Sequence, residues 1–111
     1  MDDIVSEQLH RQQQAVKVLG QLLARVANEK LPIIAWRISS AQSESILTGH
    51  CEAVDPIQRQ RDFEAWREAI SAEPWPNGIK HERGVRLHAS VVDHYEEVTI
   101  TLTAEISTDE L

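Results

Sequence analysis

The feature that most constrains the fold is a strict alternation of apolar and polar residues in the last third of the chain. Apolar residues occupy every second position from Val85 to Val91 and again from Val98 to Ile106. Because successive side chains of a strand point to opposite faces of a sheet, this period of two predicts two half-buried strands. The polar segment 93–97 predicts the turn that joins them. Residues 107–111 are predicted to form a loose acidic tail.

A second hairpin is predicted in the first half of the chain. Residues 33–38 and 45–54 are rich in apolar residues at alternate positions, and the polar segment 39–44 between them predicts a loop. The second of these strands has an apolar face with Leu47, Cys51 and Ala53, and a polar face with Thr48, His50 and Glu52.

A helix is predicted before each hairpin. The first spans residues 3–30, because apolar residues recur at helical spacing up to the stop at Leu31-Pro32. Its apolar stripe consists of Leu9, Val16, Leu19, Leu23 and Val26, widened by Val5, Val18 and Leu22.

The second helix is predicted to begin at Asp55-Pro56, since Asp is a favoured N-cap and Pro is favoured at the first helical position. Its buried residues are predicted to be Phe63, Trp66 and Ile70. The segment 74–78, PWPNG, predicts the end of this helix and no regular structure.

The order α-β-β-α-β-β, with one apolar side on every element, predicts a single α+β domain over residues 1–111. The simplest architecture is a two-layer sandwich, in which a four-stranded antiparallel sheet has both helices on one face. A helix of about 26 residues would be about 39 Å long, whereas such a sheet is only about 20 Å wide. Residues 1–14 should therefore project, fray or pair with another chain.

Composition excludes several classes of function. The formal net charge is −7, and the arginines near position 60 alternate with acids, so no basic surface for nucleic acid is predicted. Mimicry of nucleic acid by an acidic surface stays open. No apolar run approaches the ~18 residues of a membrane span. The single cysteine forms no internal disulfide and the N-terminal segment has acids where a secretory signal has bases, so we expect a cytoplasmic protein.

The stretch TGHCEAVD, residues 48–55, holds the most reactive cluster of residue types. His50 and Glu52 match half of the zinc-deaminase signature, but the chain has no second cysteine to complete it. On a strand, both side chains also point away from Cys51. Cys51 is therefore predicted to be a buried structural residue, and neither a catalytic residue nor a cofactor is predicted.

The polar face of the sheet offers one candidate ligand site. His50 and His88 could lie on adjacent strands, where Glu52 would complete a site for a metal or small molecule. The alternative is that these three residues are ordinary solvated side chains.

Two features suggest a protein partner. Val5, Leu9 and Val16 on the first half of the long helix fit a dimer seam or a partner groove, although a frayed helix end fits equally. Trp75 lies between two prolines, where a rigid loop could present it to a partner. Alternatively, Trp75 folds back as a lid over the core between helices and sheet.

A loose pattern runs through residues 31–70: Leu-Pro, a strand with Trp36, Leu-x-Gly ending at Gly49, and Phe63-x-x-Trp66 on a helix. In this pattern the chain resembles a group of small actinobacterial proteins. The resemblance implies the fold only, because the group brings no activity to carry over.

Together these observations predict a small non-enzymatic module that self-associates, most simply as a homodimer, and acts by binding another protein. The alternative function, from a different class, is a small-molecule or metal-binding domain that uses the polar face around His50 and His88.

Overall fold

The computed structural model describes residues 2–41, 44–75, 78–82 and 84–107. These form two helices and six strands. In chain order they are α1 (Asp2–Glu29), β1 (Ala35–Ala41), β2 (Glu44–Cys51), α2 (Pro56–Ile70), β3 (Glu73–Pro74), β4 (Ile79–His81), β5 (Gly84–Asp93) and β6 (Val98–Ser107). The α+β class is confirmed.

The sheet is mixed, so the prediction of a four-stranded antiparallel sheet is wrong. The strand order is β1-β2-β6-β5-β3, and β4 also pairs with β5. The two hairpins meet along β2 and β6, which run parallel. This direction is possible because the segment from α2 to β4 carries the chain across to β5, so that β6 inserts between β5 and β2.

Two short strands occur that were not predicted. Glu73–Pro74 pairs with Ser90 and Ala89 of β5, and Ile79–His81 pairs with the beginning of the same strand. Pro74 is tolerated because β3 lies at the edge of the sheet, where its missing N–H removes no ladder bond. The predicted loop 39–44 is also shorter than expected, since β1 extends to Ala41; its residues 42 and 43 lie outside the described residues, as do residues 108–111 of the predicted tail.

Both helices pack on one face of the sheet around a single core. The largest fully buried side chains include Val18 of α1, Trp66 of α2, Leu47 of β2 and Leu102 of β6. The alternation in β6 is confirmed, because Val98, Ile100, Leu102, Ala104 and Ile106 are all buried. Trp66 meets Trp36 edge to face at a centroid distance of 5.1 Å. Gly49 is the cross-strand partner of Trp36, and its lack of a side chain leaves room for the Trp36 ring. A Cβ at residue 49 would lie only 2.8 Å from that ring.

The predicted start of α2 is confirmed. The Asp55 side chain accepts a hydrogen bond of 3.3 Å from the Ile57 N–H, and Pro56 is the first helical residue. Phe63 and Trp66 are buried, and Ile70 packs against the core as predicted. The helix ends at Ser71 in the left-handed conformation, before the PWPNG segment.

The buried stripe of α1 agrees only in part with the predicted one, since Leu19 and Val26 pack against the core as predicted. Ala15, Val18 and Leu22 face the sheet, whereas Leu9, Val16 and Leu23 are 53%, 56% and 51% exposed. The helix has apolar residues on two neighbouring stripes, and periodicity alone does not indicate which one the sheet covers. Among the described residues, neither helix is long and apolar enough to cross a membrane.

Candidate functional site

The sheet face opposite the helices, called the polar face below, carries a groove of about 570 Å³. Alternation along the strands directs one polar set of side chains to this face. The groove is lined by Ala35, Trp36, Arg37 and Ser39 of β1, Thr48 and His50 of β2, Glu52 just after it, Arg86 of β5, and Thr103 and Glu105 of β6.

The two predicted ligand histidines lie in one row but not side by side. Thr103 of β6 is the register partner of both His50 and His88, so about two strand spacings, or about 10 Å, separate their backbones. His50 Nδ1 is 2.6 Å from the Thr103 hydroxyl. The prediction of a pair on adjacent strands is wrong, because β6 lies between β2 and β5. In the described part of the chain, no three His, Cys, Asp or Glu side chains are arranged to hold a metal ion.

Glu105 is the centre of a compensated charge cluster at one end of the groove. Its carboxylate accepts a hydrogen bond from the Arg86 guanidinium, and its other oxygen is 2.9 Å from His81 Nε2. Partial burial raises the pKa of Glu105, but the hydrogen bonds from Arg86 and His81 outweigh it and hold this pKa below its usual value. Glu105 is therefore ionised at neutral pH and paired.

Arg37 and Glu52 are charged groups of the groove in a different situation. Both side chains are exposed, and neither makes a hydrogen bond or ion pair with another described residue. The groove thus contains one paired and one unpaired charge of each sign.

Trp75 packs on the polar face, so the prediction of a lid over the core between helices and sheet is wrong. Its ring lies 4.2 Å from the His88 ring, and its backbone N–H donates a 2.9 Å hydrogen bond to the His88 carbonyl. Burial lowers the pKa of His88 below its usual value, and nearby Arg86 lowers this pKa further. A neutral His88 therefore contacts a tryptophan that is 49% exposed.

Cys51 lies in the core, 1% exposed, on the opposite side of β2 from His50. Burial raises the pKa of its thiol to about 12, and the negative charge of Asp62 contributes. The nucleophilic form of cysteine is the thiolate. Cys51 is therefore not in its nucleophilic form. It also lies on the other face of the sheet from His50 and Glu52, so the three residues do not form one site.

We expect Cys51 to be inert in the folded protein. At pH 8 a thiol with a pKa of about 12 is almost wholly protonated, and its sulfur is also inaccessible. Ellman's reagent should leave the native chain unlabelled over hours. Once guanidinium unfolds the chain, reaction with Cys51 should release one equivalent of the coloured thionitrobenzoate. Rapid labelling of the native protein would contradict this burial.

The predicted partner-binding residues lie on two separate surfaces. Val5, Leu9 and Val16 are exposed on α1, in the helical layer. Trp75 is on the opposite, polar side of the sheet. The structure therefore does not unite them in one interface.

Arg59 is a residue whose role the sequence did not suggest. Its guanidinium donates to the carbonyl oxygens of Ala53, Val54 and Glu105, at 2.9, 3.2 and 2.7 Å. It thereby ties α2 and the end of the first hairpin to β6, below the groove. Backbone carbonyls leave no trace in a sequence, so an arginine among acids gave no signal of this clamp.

Comparisons with known proteins found no match to the chain among family models, curated proteins or solved structures. The resemblance to small actinobacterial proteins therefore stays a prediction.

Proposed function

We propose that this chain is a small, non-enzymatic interaction module of the cytoplasm that self-associates through α1 and binds a further protein in that state. The observation that supports the proposal is an exposed apolar stripe along α1, here called the outer stripe, formed by Val5, Leu9, Val16 and Leu23. Each of these side chains is at least 51% exposed.

The spacing of the outer stripe fits a helical partner. Leu9, Val16 and Leu23 recur every seven residues, the period at which apolar side chains stay along one seam between two packed helices. Apolar side chains of this size gain about 1.5–3 kcal/mol each when they leave water completely. A second helix laid along the stripe would provide that burial.

The charges of α1 favour a second copy in antiparallel orientation. Residues 2–7 hold three acids and no base, whereas residues 25–30 hold Arg25 and Lys30 against the single acid Glu29. In an antiparallel pair, the acidic beginning of each helix lies beside the basic end of the other. The helix dipoles also oppose each other in that orientation.

Gly20 provides a further argument. A Cβ at this exposed position in the helix would meet no atom within 4 Å, so packing inside the chain does not require glycine. Glycine in a helix interior costs about 0.5–1 kcal/mol relative to alanine. A partner helix that crosses close to Gly20 would use the missing side chain.

The test is the oligomeric mass of a Leu9→Asp, Val16→Asp variant in sedimentation equilibrium. We expect a dimer of the 12.6 kDa chain for the original sequence. The variant should have a dissociation constant at least about a hundredfold higher, because two apolar contacts per protomer are replaced by carboxylates. Its melting temperature as a monomer should change little, since both positions are exposed.

The matched control is Val54→Asp, which places the same carboxylate at an apolar residue that is 94% exposed and lies outside α1. This variant should remain dimeric. A monomeric original protein at tens of micromolar, or equal dimerisation of the double variant, would refute self-association through the outer stripe. Co-purification of a second protein with the dimer, and its loss in the double variant, would test the wider role as an interaction module.

A further inference from the structure

The groove on the polar face is a candidate site independent of the outer stripe, since the sheet separates the two. Its volume of about 570 Å³ lies within the range of about 300–1,000 Å³ that is typical of small-ligand sites. The small side chain of Ala35 leaves the groove open beside His50, its register partner.

The charges of the groove indicate what class of ligand it fits. Arg86 and Glu105 compensate each other, whereas Arg37 and Glu52 have no partner among the described residues. The formal charges of these four groups cancel, so the groove offers no net positive field to a nucleotide or another polyanion. A separated positive and negative charge instead match a zwitterion.

The positions of Arg37 and Glu52 at opposite ends of the groove limit the length of that zwitterion. Arg37 pairs with Thr48 on the neighbouring strand, and Glu52 follows Thr48 by four positions. At about 3.3 Å per residue, the backbones of these two residues are about 13 Å apart along the strand. An extended dipeptide has its ammonium and carboxylate about 7 Å apart, and the Arg37 and Glu52 side chains, each with a charge-assisted hydrogen bond of about 2.8 Å, span the remaining distance at the two ends.

The middle of the groove presents hydrogen-bonding groups rather than charges. The contact between His50 Nδ1 and the Thr103 hydroxyl, at 2.6 Å, fixes the imidazole ring. Its Nε2 makes no hydrogen bond to a described residue and is left for a ligand. Thr48, two residues before His50 on the same strand, also lines the groove. A peptide group of a ligand would offer one N–H donor and one C=O acceptor to the side chains in the middle of the groove.

We propose that the groove binds a dipeptide with free termini, whose carboxylate contacts Arg37 and whose ammonium group contacts Glu52, with the peptide group beside His50. The shared chemistry is an ammonium and a carboxylate about 7 Å apart. An ω-amino acid of equal length has the same charges but lacks the central peptide group.

The test is a titration of the ¹⁵N-labelled protein with Ala-Ala, followed by amide chemical shifts. We expect saturable shifts at Thr48, His50 and Thr103 and none on α2. Acetylated and amidated Ala-Ala should bind at least about tenfold more weakly, because it lacks both charges. 5-Aminopentanoate, which has the same number of chain atoms as a dipeptide, should bind more weakly than Ala-Ala if His50 contacts the peptide group, and equal binding would refute that contact.

Two variants and two matched controls complete the experiment. Arg37→Gln and Glu52→Gln should each weaken binding of Ala-Ala at least about tenfold. Arg61→Gln on α2 and Glu82→Gln beside β4 remove equivalent exposed charges outside the groove and should leave binding unchanged. Absence of shifts at up to about 10 mM Ala-Ala, well above the millimolar range of weak complexes, would overturn the proposal, as would unchanged binding in both groove variants. If the amide spectrum of the unliganded Arg37→Gln protein is unaltered, the variant is folded, and its weaker binding then results from the lost charge.

Discussion

Replacement of Trp66 by alanine is expected to lower the free energy of unfolding by about 3–5 kcal/mol, the range for removing a buried aromatic side chain. Trp66 is 0% exposed and is the largest fully buried side chain. Its loss would leave Trp36 without the ring it packs against. Its indole N–H also donates a 2.7 Å hydrogen bond to the Pro32 carbonyl, in the connection between α1 and β1. Urea unfolding followed by circular dichroism would measure the loss.

A Trp66→Phe variant separates packing from hydrogen bonding. It retains an aromatic ring but leaves the Pro32 carbonyl without its donor, so we expect a smaller loss of about 1–3 kcal/mol. Equal stability of the original protein and the alanine variant would contradict the place of Trp66 at the centre of the core.

Replacement of Gly84 by alanine is expected to destabilise the chain by at least about 3 kcal/mol, because it combines a backbone conformation that side chains disfavour with a collision. Gly84 has a φ of +150°, and a Cβ there would lie 1.9 Å from the Ile106 carbonyl oxygen. That oxygen belongs to the backbone of β6, next to the register partner of Gly84, Ser107. Relief therefore requires the two longest strands to separate at this end. The melting temperature should fall by more than about 10 °C.

Gly20→Ala provides a control of opposite sign. A Cβ at Gly20 meets open space on a helix, so alanine should stabilise the monomer by about 0.5–1 kcal/mol. Both variants add one methyl group. The difference between their free energies of unfolding therefore reports the backbone conformation and the available space at each glycine. If Gly84→Ala melted at the same temperature as the original protein, the tight approach of β5 to β6 would be refuted.

The local elements could be predicted because their causes are local. The alternation at 98–106 depends only on which side of one strand is buried, and Asp55-Pro56 caps a helix without reference to the rest of the chain. The parallel neighbourhood of β2 and β6 could not be predicted, because the same alternation of Leu47, Gly49 and Cys51 suits a parallel or an antiparallel partner. The strand at Glu73–Pro74 could not be predicted for a similar reason, since it forms only because β5 has a free edge with which it can pair.

The candidate site shows the same division. Alternation placed Thr48, His50 and Glu52 on one face, and the structure has them there. That His50 contacts Thr103 rather than His88 follows from the insertion of β6, which is a property of the whole sheet. Which apolar stripe of α1 the sheet covers has the same origin, because it depends on how the helix is rotated against the sheet.

The parallel pairing of β2 with β6 also has a consequence for the order of folding. A short turn joins β5 to β6, and β1 and β2 are only two residues apart in the chain, so both hairpins can form from local contacts. Their shared boundary is different, since His50 and Thr103 are 53 residues apart. Contacts of such long range form slowly because a large loop must close first. The joining of two preformed hairpins, with α2 closing over the new boundary, is therefore the step we expect to limit the rate at which this chain reaches its native state.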